Sequence, residues 1–104
     1  MRSVFAQALA VGLICSTASF ALAAGSAGHG ERLYADNCST CHGEDLQNNS
    51  TVAFDLRRLK ADEHERFVTS VTQGKNAMPS WDGVLSDQDK EDLWAYIRAN
   101  ANDR

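Results

Sequence analysis

Two cysteines and a histidine lie within five consecutive residues, in the run Cys38-Ser39-Thr40-Cys41-His42. This CxxCH spacing is the attachment signature of a covalently bound c-type haem. Two thiols three positions apart on one helical turn can each add to a vinyl group of the porphyrin, and the histidine that follows lies beneath the iron. The motif predicts Cys38 and Cys41 as the attachment residues and His42 as an axial ligand.

Two other chemistries also use a CxxC pair. A zinc site would need a second pair of ligands, and outside the motif the predicted mature chain offers only His29 and His64, with no further cysteine. A thioredoxin-like dithiol would need a βαβ architecture around it, and the sequence has no convincing strand pattern. Haem attachment is therefore the favoured interpretation.

The first 23 residues have the pattern of a secretory signal peptide. Arg2 is followed by an uncharged apolar run over residues 4–14, a more polar stretch, and a small-residue cleavage site ending in Ala21-Leu22-Ala23. A retained membrane anchor is the alternative, because no charge appears between Arg2 and His29. We expect a signal peptide at residues 1–23, export to the periplasm, and no stable membrane insertion after cleavage.

Cleavage after Ala23 would leave a single domain at residues 24–104, with 9 basic and 14 acidic side chains and a formal charge of −5. A domain this small buries little surface, and small domains usually add a metal or a crosslink to their protein core. A bound haem would meet that need. The acidic balance argues against nucleic acid as a partner.

Three separated pieces of the chain resemble the class I c-type cytochromes, which are small one-haem electron carriers. The pieces are GERLY at residues 30–34 leading into CSTCHG at 38–43, NAMPSW at 76–81 and LWAYI at 93–97. The resemblance implies an all-α, small cytochrome c fold, with about three to five short helices around one covalently attached haem c. It also implies that Gly30 and Tyr34 pack against Leu93 and Tyr96.

The resemblance further implies a methionine ligand on the face of the iron opposite His42. Met78 is the only methionine besides the initiator, and Pro79 follows it directly. The ring of Pro79 restricts the backbone and holds the direction of the loop. We therefore expect iron to be bound by His42 and Met78, and His64 to lie at the surface.

Many members of this family have a proline whose carbonyl accepts the ring N–H of the axial histidine. The only proline here is Pro79, so a carbonyl near Ala53 or Phe54 is expected to take this role and fix the tautomer. The charged side chains that follow are candidates to neutralise haem propionates, or form a solvated charge run; they are Arg57, Arg58 and Lys60.

The hydrophobic pattern predicts three main helices. The first covers residues 30–38 and delivers the cysteines. The second, of about twelve residues, begins at an Asp62 N-cap and stops at Gly74. The third begins at Ser86, in a capping box with Asp89, and continues to about Asn100.

With both axial positions filled by protein, the expected function is transfer of one electron, without catalytic residues or enzyme activity. Expected partners are a periplasmic dehydrogenase as donor and an oxidase or another cytochrome as acceptor. Residues 54–57 resemble small cytochromes that serve quinoprotein alcohol dehydrogenases; a cytochrome bc-type complex with a terminal oxidase is the other partner set. Alternative functions are a haem subunit of a dehydrogenase complex, and a gas- or peroxide-reactive haem protein if Met78 is displaced.

The position of the charges also predicts how such a carrier docks. The residues next to the expected ligands are uncharged, whereas acidic residues cluster at positions 62–65 and 87–92. We expect docking through an apolar rim near residues 77–79, at a rate that responds little to salt.

Overall fold

A computed structural model describes residues 8–14, 22–48 and 50–103 of the chain. Within these ranges the α-helices are α1 (Ala27–Asn37), α2 (Ser39–His42), α3 (His64–Gln73) and α4 (Asp87–Ala99). Short 3₁₀ turns cover Glu44–Leu46, Leu56–Arg58 and Ala61–Glu63. The described residues contain no β-strand, only an isolated bridge between Lys75 and Met78. The predicted all-α fold is confirmed.

α1 and α4 cross at very close range beside Gly30. A Cβ atom on Gly30 would overlap the backbone carbonyl of Asp92 and lie 3.0 Å from the backbone nitrogen of Leu93. One turn later, the ring of Tyr34 packs on that of Tyr96, with the centroids 5.5 Å apart. This is the helix crossing that the family resemblance implied.

The predicted start of α1, at Gly30, was three residues too late. α1 begins at Ala27, because the hydroxyl of Ser26 accepts a hydrogen bond from the backbone N–H of His29. The last helix begins as predicted: Ser86 and Asp89 each accept the other's backbone N–H, both at 3.0 Å. Its capping box is therefore confirmed.

The predicted N-cap of the middle helix was wrong. Asp62 lies inside the 3₁₀ turn Ala61–Glu63, and α3 starts only at His64. The cause is Glu63, whose carboxylate accepts the backbone N–H of Lys60 at 2.9 Å and so closes the turn one residue later than expected. The predicted stop at Gly74 is confirmed, since Gly74 has a φ of 77° there.

The hydrophobic core lies where α1, α3 and α4 meet. Its most deeply buried side chains are Tyr34, Leu46, Leu93 and Ile97, each less than 2% exposed. Residues 8–14 have no regular structure and are exposed, so they take no part in this core. The other predicted signal-peptide residues, 1–7 and 15–21, lie outside the described residues. None of the helices in the described part of the chain is long and apolar enough to cross a membrane.

Candidate functional site

One cavity brings together all four side chains that the sequence singled out. Cys38, Cys41, His42 and Met78 line a space of about 620 Å³, a volume usual for small-molecule and cofactor sites. Most of the wall is apolar; it includes Val52, Phe54, Leu56, Leu59, Phe67, Val71, Trp81, Leu85, Leu93 and Ile97. Residues from two distant parts of the chain therefore face one mostly apolar space.

The CxxCH run forms a single helical turn that ends at Gly43. The backbone N–H of His42 donates to the carbonyl of Cys38 at 3.0 Å, and that of Gly43 to Ser39 at 2.8 Å. Gly43 has a φ of 90°, and a Cβ atom there would overlap the carbonyl of Gln47. Glycine is needed at this position for the chain to turn away directly after His42.

Tyr34 ties the end of this turn to α1. Its hydroxyl donates to the carbonyl of Gly43 at 2.5 Å, and its side chain is only 1% exposed. Burial raises the pKa of Tyr34 above its ordinary value, so the hydroxyl keeps the proton that it donates. The peptide after His42 is thus held by a partly buried hydrogen bond from the Tyr34 side chain of α1.

The ring of His42 is oriented by a backbone carbonyl. Its Nδ1 lies 2.9 Å from the carbonyl oxygen of Phe54. Because a carbonyl can only accept, Nδ1 carries the proton and Nε2 offers its lone pair to a metal. The sequence left open whether the carbonyl of Ala53 or that of Phe54 binds the His42 ring. In the structure it is the carbonyl of Phe54, since the carbonyl of Ala53 accepts a hydrogen bond from Asn48 Nδ2 at 2.6 Å.

The loop that carries Met78 is held by hydrogen bonds on both sides. Lys75 and Met78 exchange two backbone hydrogen bonds of 3.0 Å each. Beyond Pro79, the Ser80 hydroxyl donates to the carbonyl of Thr72 at 2.5 Å, and the Trp81 backbone N–H donates to the carbonyl of Val71 at 2.9 Å. α3 therefore anchors the loop that carries Met78.

The two cysteines are free thiols rather than a disulfide. Burial raises the pKa of the Cys38 thiol to about 11, and the nearby Cys41 adds to the shift. The cavity therefore disfavours a charged sulfur, and conversion of the thiol to a thioether would remove the ionisable group. Two thiols, one imidazole nitrogen and one thioether sulfur in an apolar cavity fit a covalently held haem.

Zinc is disfavoured by the placement of the possible ligands. Histidine, cysteine, aspartate and glutamate side chains can bind zinc. In the described part of the chain, only His29, Asp89 and Asp92 form a group of three whose ligand atoms lie within 4.8 Å of one another. That group does not line the cavity. The CxxCH side chains form no such group.

The three cations proposed from the sequence as propionate partners do not line the cavity. Arg57 instead binds Asp55, with Nη2 2.9 Å from the carboxylate. The cations that do line the cavity are Arg66 and Lys75, which sequence reasoning missed. No local pattern in the sequence marked Arg66, and only the folded protein shows that it lines the cavity, one helical turn before Ser70.

His64 is placed as expected, away from the cavity lining. Its Nε2 lies 2.8 Å from a carboxylate oxygen of Glu91 on α4, and its ring packs edge-on against Trp94. Trp81 lines the cavity and also packs against the hydrophobic core.

Comparison with known proteins supports a common family. The family described as "Cytochrome C oxidase, cbb3-type, subunit III" matches residues 25–97, or 73 of the 104 residues. Cytochrome c6 of Nostoc sp. is 35% identical, with 98% of this chain and 96% of that protein covered. The chain belongs to the small class I c-type cytochromes. Cytochrome c6 of Synechocystis sp. is 36% identical, over 84% of this cytochrome and 75% of the relative.

A solved structure agrees with this assignment. The crystal structure of cytochrome c6 from the diatom Phaeodactylum tricornutum matches this cytochrome with a TM-score of 0.59 and 32% identity, covering 76% of this chain and 98% of the other. This cytochrome therefore has covalently bound haem c, transfers electrons rather than catalysing a reaction, and works with redox protein partners.

Proposed function

We propose that Cys38 and Cys41 hold the haem through thioether bonds and that His42 Nε2 and the Met78 sulfur are the axial ligands of its iron. The observation that supports this most directly is the shared cavity of these four residues. When bound, the haem would supply one-electron chemistry: its iron would take one electron from a donor as Fe(III) becomes Fe(II), and pass it to an acceptor as Fe(II) returns to Fe(III).

The protein side chains would restrict the haem to electron transfer. His42 and Met78 would both bind the iron, which would leave no open position for a substrate. The Phe54 carbonyl fixes the histidine tautomer, and the backbone hydrogen bonds between Lys75 and Met78 hold the loop that carries the thioether. Thioether ligation and an apolar wall favour the reduced iron and raise the reduction potential.

The attachment is tested by extracting the purified protein with acidified organic solvent and measuring the mass of the polypeptide. We expect haem to stay on the wild-type chain and to be extracted from a Cys38→Ala/Cys41→Ala double variant. Haem that leaves the wild-type chain would contradict the proposal.

We further propose that residues 1–23 are a signal peptide and that the carrier works in the periplasm. The exposed, irregular segment at residues 8–14 supports this, because it adds nothing to the core. Cleavage after Ala23 would remove two backbone hydrogen bonds with the Gln88 side chain, of 3.0 and 3.1 Å. The mass and N-terminal sequence of protein from the periplasmic fraction test this, and an intact leader would contradict it.

An oxidase or another cytochrome is the proposed acceptor, and a periplasmic dehydrogenase the proposed donor. The family description names a cbb3-type cytochrome c oxidase, which favours an oxidase among these. A quinoprotein alcohol dehydrogenase as donor depends on residues 54–57 alone and stays a prediction. Reduction of the purified carrier by candidate dehydrogenases in stopped flow would decide between donors.

The same description favours a second candidate, a haem subunit held permanently in a larger complex. Gel filtration of a gently solubilised cell extract, followed by haem absorbance, separates the two. A free carrier elutes near the size of the single chain, whereas a subunit elutes with its complex.

A further inference from the structure

A group of metal-binding side chains lies outside the haem cavity, where α1 meets α4. His29 is in the first turn of α1, and Asp89 and Asp92 are in α4. Their ligand atoms all lie within 4.8 Å of one another, and none of the three side chains lines the cavity. The fold therefore brings together one imidazole and two carboxylates; His29 and Asp92 are 63 positions apart in the chain.

The carboxylate of Asp92 is buried and held in one orientation. Asp92 is 6% exposed, and its Oδ1 accepts hydrogen bonds from the Ser26 backbone N–H at 2.7 Å and from Gln88 Nε2 at 3.2 Å. These bonds leave Oδ2 directed at His29, whose Nδ1 lies 2.6 Å away. Hydrogen bonds to one carboxylate oxygen orient the other oxygen as a metal ligand.

The carboxylate of Asp89 is a second oxygen donor at the same place. Its Oδ2 accepts the Ser86 backbone N–H at 3.0 Å, which fixes the side chain in the first turn of α4. An ionised carboxylate has two oxygens and about four lone pairs. The capping bond therefore leaves Asp89 able to bind a metal ion as well.

The charge of these two carboxylates is not balanced by a lysine or an arginine. Within the described ranges, neither side-chain type lies at ion-pair distance from Asp89 or Asp92, and Lys90 pairs instead with Asp87 at 3.5 Å. His29 is charged only when it is protonated. Beside a neutral imidazole the two carboxylates carry two negative charges, which a divalent cation would neutralise.

We propose that His29, Asp89 and Asp92, here termed the His29 site, bind a zinc ion. One imidazole nitrogen and two carboxylate oxygens suit zinc, and a zinc ion with three protein ligands keeps a fourth position for water. Magnesium and calcium prefer oxygen ligands alone. Zinc would bind Nδ1 of His29 in the tautomer that carries its proton on Nε2. The His29 site does not depend on the proposed electron transfer.

A small movement of His29 would make room for the ion. Bonds of about 2.0–2.2 Å to zinc place two tetrahedral ligand atoms roughly 3.4 Å apart, whereas His29 Nδ1 and Asp92 Oδ2 are 2.6 Å apart. His29 is the side chain that can move, because it is 39% exposed and that of Asp92 is 8% exposed. Bound zinc would then join α1 to α4 and stabilise the folded protein.

Isothermal titration of the purified holo-protein with zinc chloride tests the His29 site. We expect one zinc ion per chain in the wild type, and no comparable binding of magnesium chloride. His29→Gln should weaken zinc binding at least about 100-fold. His64→Gln is the matched control and should bind zinc like the wild type. His64 also pairs with a carboxylate, that of Glu91 at 2.8 Å, but within the described chain it belongs to no group of three possible ligands.

A second variant and a second measurement separate loss of the ligand from loss of the fold. Asp89→Asn keeps an oxygen for the Ser86 N–H and should weaken zinc binding at least about tenfold, while the haem absorption spectrum shows that each variant is folded. Zinc should raise the melting temperature of the wild type and of His64→Gln, but not that of His29→Gln. Equal zinc affinity in the wild type and His29→Gln, equal affinity of the wild type for magnesium and zinc, or no binding at about 1 mM zinc would overturn the proposal.

Discussion

The Nδ1 atom of His42 lies 2.9 Å from the carbonyl oxygen of Phe54, 12 residues further along the chain. Many class I cytochromes use a proline carbonyl for this contact, and proline restricts its own backbone. Phe54 lacks that restriction, so the orientation of His42 depends on how firmly the loop before Phe54 is held.

The Asn48 side chain holds this loop together with the Ser50 hydroxyl, and Asn48→Ala should raise the reduction potential. Asn48 Nδ2 donates to the Ala53 carbonyl at 2.6 Å, and its Oδ1 accepts from the Ser50 N–H at 2.8 Å. Without these two hydrogen bonds, the Phe54 carbonyl should bind the His42 ring more weakly, and the imidazole should become a poorer electron donor to Fe(III). The rise should be at most about 40 mV, which corresponds to about 1 kcal/mol for one electron.

Redox titration of the holo-protein measures this change, and Gln47→Ala is the neighbouring control, because the Gln47 side chain is exposed. A potential that is the same in wild type and Asn48→Ala would show that the loop does not tune His42.

Tyr34→Phe should lower the free energy of unfolding by about 0.5–1.5 kcal/mol, since it leaves the partly buried Gly43 carbonyl without its donor. Denaturant unfolding of the holo-protein measures the loss. Tyr96→Phe is the control, because Tyr96 is also buried and its ring packs on Tyr34. A smaller loss for Tyr34→Phe than for Tyr96→Phe would argue against a structural role for the Tyr34 hydroxyl.

Two glycines of α1 should respond in opposite directions to the same substitution. Gly30→Ala places a methyl group against the Asp92 carbonyl and should destabilise the protein by about 1–3 kcal/mol through overpacking. Gly28→Ala meets nothing within 4 Å and should stabilise α1 by about 0.5–1 kcal/mol. Thermal unfolding of both variants checks the pair; similar effects would contradict the close crossing of α1 and α4.

The carboxylate of Asp92 should make stability depend on acid pH. It is 6% exposed and accepts hydrogen bonds from the Ser26 backbone N–H at 2.7 Å and from His29 Nδ1 at 2.6 Å. These bonds hold its pKa below the ordinary value, the Ser26 bond having the larger effect. A pKa lowered by folding stabilises the protein above the unfolded pKa of about 3.9, and this stabilisation is lost as pH falls through the folded pKa.

Asp92→Asn should therefore cost about 1–3 kcal/mol at pH 7 and reduce the loss of stability below about pH 4. Unfolding free energies measured across the acid range test both effects. Glu91→Gln is the control, because Glu91 pairs with His64 in a more exposed position. If Asp92→Asn and wild type lose unfolding free energy equally as pH falls, the pH dependence comes from other carboxylates.

The local chemistry of the haem cavity could be read from the sequence, because each part of it lies within a short run. Cys38, Cys41 and His42 are adjacent, and Met78 is the only methionine available after the leader. Gly30 and Tyr34 were placed against α4 because their spacing matched that of the family.

Features that depend on distant backbone geometry could not be read in this way. The Phe54 carbonyl is chosen over that of Ala53 only because Asn48 reaches back to the latter. α3 begins later than predicted because the Glu63 carboxylate accepts a hydrogen bond from the Lys60 backbone N–H. Arg66 became a cavity residue through the packing of α3 against residues 54–59, which no local pattern encodes.

Carbon monoxide binding to the ferrous holo-protein tests the central claim most directly, since it asks whether Met78 closes the second axial position. The absorption spectrum of the wild type should stay unchanged under carbon monoxide, and that of Met78→Ala should shift as the gas takes the vacated position. A wild type that binds carbon monoxide readily, or a Met78→Ala variant that refuses it, would contradict the account of a closed, two-ligand electron carrier.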